Sequence, residues 1–140
     1  MNRIKQLVVA VLVCYASASF ANSVAQEFKK LKSEVVQEIK SIRSDVQSIL
    51  ISNAKGQYNT RELRRDALTR LYTLKTKNSD TTDKIQKMLD IIDEAFPDNK
   101  SPKNRENEHY LMDKQLKDIS DLSTDISKLE EKIRMQSSKK

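Results

Sequence analysis

The sequence predicts an all-α protein, an elongated helical hairpin or bundle with coiled-coil character behind an N-terminal signal sequence. Three observations lead there. The 140 residues include one Gly and two Pro, so little interrupts a helix. Apolar residues recur at steps of three and four, the spacing that keeps them on one helical face. One third of the chain is charged and only 5% is aromatic, and no stretch alternates apolar and polar residues as a half-buried strand does.

The N-terminus has the three-part build of a bacterial export signal. Arg3 and Lys5 form a positive start, Leu7 to Ala18 an apolar run, and Ser19-Phe20-Ala21 a small-x-small end that signal peptidase accepts. Cleavage after Ala21 is therefore expected, giving a signal peptide at 1–21 and one helical domain at 22–140. The alternative is an uncleaved anchor, because no charge occurs between Lys5 and Glu27. Its strongly apolar part is only about a dozen residues, short for a bilayer-spanning helix. Cys14 is the only cysteine, so cleavage leaves a chain that no disulfide can staple.

Four helices are expected after the signal, at about 23–51, 60–78, 82–96 and 105–135. In the first, Val24, Phe28, Leu31, Val35, Ile39, Ile42, Val46 and Ile49 form the stripe. An extra step of four between Val35 and Ile39 is a stutter, which locally unwinds a supercoil and straightens the helix. The segment Ser52 to Tyr58 breaks it, with Gly56 free to take the left-handed conformation that ends helices. Asn59 and Glu62 resemble a capping box opening the second helix, whose stripe is Leu63, Ala67, Leu71 and Leu74. Its surface is basic, with Arg61, Arg64, Arg65 and Arg70 as a candidate contact face. Asn78-Ser79-Asp80-Thr81 reads as a break and a cap for the third helix. Pro97 to Asn104 contains both prolines and no apolar residue, the composition of an exposed loop.

The last helix carries the clearest heptad. Met112, Ile119, Ile126 and Ile133 recur every seven residues, and Leu122 and Leu129 fill the intervening position. This is a coiled-coil seam with Ile at a and Leu at d. Its six residues either pack an intramolecular bundle or meet a partner helix. A parallel self-pair would set Asp125 against Glu130, a like-charge contact. A basic-flanked partner, such as the second helix of the same chain, suits it better.

Composition excludes much chemistry. Phosphate-cradling loops and nucleophile elbows need several glycines, and this chain has only Gly56. Paired-cysteine zinc sites are impossible, and with His109 the only histidine no two-histidine metal helix is available. His109, beside Glu106 and Glu108, is expected to be solvated. No enzyme activity, metal or cofactor is expected. The net charge of +6 falls by the two charges of Arg3 and Lys5 on cleavage. No aromatic is interleaved among the arginines to stack bases, so no nucleic-acid partner is expected. The expected partners are a protein or a second copy engaged through helices, with weak contact to an anionic envelope surface as a further possibility.

An exported, cysteine-free helical chain resembles periplasmic adaptor and minor-pilin-like components of secretion systems. With a retained anchor it resembles phage spanin-like tethers. Both resemblances are of layout, and neither carries a motif. They imply a periplasmic or secreted interaction protein in the first case, and an inner-membrane anchored protein facing the periplasm in the second.

Overall fold

The computed structural model describes the backbone of residues 2–95 and 102–138 and the side chains of residues 23–94 and 106–136. Three helices pack against one another: α1 (Asn2–Ala54), α2 (Arg61–Ala95) and α3 (Pro102–Ser138). The protein is an all-α bundle, and no strand occurs among the described residues. The export signal at 1–21 and its cleavage point at Ala21 lie outside the described side chains.

Cross-helix contacts give the directions. Glu27 meets Lys87 and Glu34 meets Lys84, so α1 and α2 are antiparallel. Asp93 meets His109 and Lys75 meets Glu130, so α2 and α3 are antiparallel. Lys32 meets Glu108, Arg43 meets Asp118 and Asn53 meets Gln136, so α3 runs parallel to α1.

The turn after α1 is built as its sequence suggests. Gly56 has φ +70°, and the amides of Gly56 and Gln57 donate to the carbonyls of Asn53 and Ser52 at 3.1 and 3.0 Å. This double closure is a Schellman motif, which satisfies carbonyls that the helix end would orphan. A Cβ on Gly56 would meet nothing, so glycine is needed there for its backbone alone. The cap of α2 differs from expectation by one residue. Thr60, rather than Asn59, accepts the amide of Leu63 on Oγ1 at 3.1 Å, and its carbonyl accepts the first helical bond, from Arg64, at 3.0 Å.

The break expected at Asn78 to Thr81 does not form, and α2 is one helix where two were expected. Arg64, Ala67, Leu71, Leu74, Asn78, Thr81, Ile85, Met88 and Ile92 are all buried at alternating steps of three and four. Asn78 and Thr81 thus occupy a and d positions of one unbroken heptad. Their polar groups are spent inside the bundle instead of on a cap. Asn78 Nδ2 donates to the carbonyl of Ile119 at 3.0 Å, and Thr81 Oγ1 lies 2.9 Å from both the Lys77 carbonyl and Glu38 Oε1. The start of α3 is also earlier than expected, at Pro102 instead of about 105. Proline is well suited to a first helical position, where its missing N–H would have no partner.

The core runs the length of the bundle. Val35, Ile42, Ile49, Leu71, Ile85, Met88, Met112, Ile126 and Ile133 are each at most 1% exposed. Burying one such side chain stabilises by roughly 1.5–3 kcal/mol, so three continuous stripes supply what disulfides do not. Tyr58, from the turn expected to be a simple break, is buried and closes one end of the core.

Candidate functional site

The α3 seam faces inward. Met112, Ile119, Leu122, Ile126, Leu129 and Ile133 are 0–5% exposed within the single chain, packed with α1 and α2 in one core. Its flank meets a basic neighbour, since Glu130 lies 2.6 Å from Lys75 of α2. Within this fold the seam builds the bundle and presents no apolar stripe to a partner.

The heptad of α3 has one polar member that the sequence reading passed over. Gln115 is buried at a d position, near the level of Asn78 and Thr81. The stutter in α1 falls at the same level, and the residue it displaces from the stripe, Glu38, turns toward α2. There Lys84 ion-pairs with Glu38 and, at 3.3 Å, with Glu34. The hydrogen bond to Glu38 holds the Lys84 ammonium above the ordinary lysine range, with desolvation opposing and Glu34 adding to it. All three helices therefore place polar groups at one level, a polar waist between two apolar halves. Asn78 Oδ1 and Gln115 Oε1 are buried there without a hydrogen-bond partner among the described residues.

The basic face of α2 is smaller than the sequence suggested. Arg61, Arg65 and Arg70 are exposed, but Arg64 is only 8% exposed and is corrected from a surface residue to an interior one. It occupies an a position, and its Nη1 donates to the Tyr58 carbonyl at 3.4 Å. An arginine stem packs along apolar neighbours while its head finds a carbonyl. His109 is also less solvated than expected. It is half-buried and its Nε2 lies 3.0 Å from Asp93 Oδ1, joining α3 to α2.

Among the described residues no group of three or more His, Cys, Asp or Glu is arranged to hold a metal. The concave features are open grooves between helices. One, about 530 Å³, runs between α2 and α3 over Asn78, Thr82, Leu116, Ile119 and Ser123. It exists because small hydroxyl side chains stand where long ion pairs bridge the other grooves, as Lys32–Glu108 and Arg43–Asp118 do between α1 and α3. No nucleophile and base converge in it. Comparison with protein-family models, curated proteins and solved structures finds no match.

Proposed function

We propose that this chain is an exported, non-enzymatic helical protein that acts by presenting the outside of a rigid bundle to a protein partner, as a periplasmic component of a secretion or envelope assembly. The observation that carries the reading is how the apolar seams are used. All three close on one another inside the chain, leaving charged helix faces and open grooves, the surface of a scaffold or adaptor. The export part rests on Arg3, Lys5, the Leu7 to Ala18 run and the Ser19-Phe20-Ala21 end. N-terminal sequencing of the protein from fractionated cells tests it. Asn22 as the first residue of periplasmic material is the expected result, and cytoplasmic material beginning at Met1 overturns it.

A second reading, a membrane-anchored tether, draws on the continuity of α1 from Asn2 to Ala54. A retained N-terminal segment would then be joined to the bundle through one helix with no flexible link. Met1 on inner-membrane material in the same experiment selects this reading.

A further inference from the structure

The face of the rod formed by α2 and α3 carries a charge pattern that complements itself. The middle of the groove between these helices is lined by Ser79, Thr82, Ser120 and Ser123 beside a half-buried Leu116. Asn78, only 5% exposed, lines it too, and its Oδ1 has no hydrogen-bond partner among the described residues. Heptad repetition extends the face in both directions, because residues seven apart keep one orientation on the helices of a bundle. On α2, Ser79 leads through Tyr72 to Arg65 one way and through Gln86 to Asp93 the other. On α3, Ser120 leads through Ser127 to Arg134, both of which line the groove around Lys75 and Glu130, and through Asp113 to Glu106 the other way. All the residues of these two rows are exposed. Since α2 and α3 are antiparallel, Arg65 and Arg134 come together toward the α1–α2 turn, and Asp93, Glu106 and Asp113 toward the α2–α3 turn. Between these ends both rows are uncharged.

We propose that a second copy of the chain packs on this face, rod against antiparallel rod, about a two-fold axis that passes beside Ser79. Arg65 and Asp93 each lie 14 residues from Ser79, so each meets the other across the interface, twice by symmetry. On α3, Arg134 comes to face Glu106 and Asp113 of the other copy. A parallel pair would instead set Arg65 against Arg134 and Asp93 against Glu106, like charges that oppose association. The short hydroxyl side chains at the axis do not hold the rods apart, and Asn78 Oδ1 offers an acceptor there to a hydroxyl of the other copy. The area suffices as well. From Arg65 to Asp93 the helix spans about 42 Å, and two helices each about 10 Å across give roughly 800 Å² per copy, the size of a standard interface. This inference goes beyond the protein-partner reading, and its failure would leave that reading unchanged.

Sedimentation equilibrium of the full chain tests it through a charge swap. The parent chain is a dimer at high micromolar concentration and low salt. Arg65→Glu and Asp93→Arg each raise the dissociation constant roughly 25-fold, about fivefold at each of the two symmetric contacts. The chain carrying both changes recovers the parent's affinity. Within one chain the two positions are about 42 Å apart along α2, so neither a folding defect nor pairing inside the monomer produces that recovery. Lys40→Glu, an equal change of charge at an exposed position of α1, leaves the dimer intact. The proposal is overturned by a monomeric parent chain, by single variants that dimerise like the parent, by a double variant as weak as the single ones, or by a Lys40→Glu chain that dissociates as readily as Arg65→Glu.

Discussion

Asn78 gives up apolar contact at the centre of the bundle for one directional bond, from its Nδ2 to the Ile119 carbonyl, and leaves Oδ1 buried without a partner. A polar residue at a single a position fixes register at a cost in stability. Asn78→Leu should therefore raise the melting temperature, by an amount corresponding to about 1–2 kcal/mol. It should also broaden the amide NMR spectrum as α2 gains freedom to slide on α3. A sharp spectrum with a lowered melting point would show that the amide is needed for stability, not register. Lys84 is a second local test. Its two carboxylate contacts raise its pKa in the native state, so the stabilisation is fully present below about pH 10.5, the ordinary lysine value, and is lost as pH rises through the higher folded value. Lys84→Met should lower stability by about 1 kcal/mol at pH 7. In urea melts the gap to the parent chain should then close at strongly alkaline pH.

At the scale of the helix, periodicity was readable and punctuation less so. The stripes from Leu31 to Ile49 and from Met112 to Ile133 could be taken from spacing alone, and each of those residues is buried. Gly56 also announced its turn, because only a positive φ lets two amides close on Asn53 and Ser52. Gly56→Ala should cost about 1 kcal/mol, measured as a shift in the denaturant midpoint. The Asn78 to Thr81 segment misled because Asn, Ser, Asp and Thr favour caps when their side chains have no other partner. Here the neighbouring helices supply partners, which a single stretch of sequence does not reveal. The phase of the stripe does cross the segment intact, from Leu74 to Ile85, and that was the available signal. Ser79→Pro separates the two descriptions. In a continuous helix it removes a backbone bond and costs about 3 kcal/mol, a loss that circular dichroism melts would show, whereas a true break would tolerate it. Arg64 was missed because the stripe was started at the apolar Leu63, four residues before Ala67; Leu63 is exposed instead, and Arg64, three residues before Ala67, fills the a position.

For the whole molecule, stability depends on three stripes meeting along one axis. Ile126 is fully buried in the half of the core farther from the α2–α3 turn, and Ile126→Asp would place a carboxylate there with no cation built to receive it. A loss of several kcal/mol is expected, seen as an early, cooperative loss of helicity in the monomer. Retained helicity with a changed sedimentation mass would instead assign the seam to assembly. The open groove between α2 and α3 was less legible than the core, because its lining comes from two helices that meet only in the folded bundle. Helix parity has a further consequence. Three passes, unlike two or four, deliver the end of the chain to the pole opposite the one where the bundle's first strand of contacts begins, so the rod has a direction. The stretch of α1 from Ser23 to Ala54 spans about 48 Å at 1.5 Å per residue. Gln136 is hydrogen-bonded to Asn53, so a tag appended after Gln136 would crowd the end of the rod at the α1–α2 turn, whereas cargo joined ahead of Ser23 would be carried at the far one.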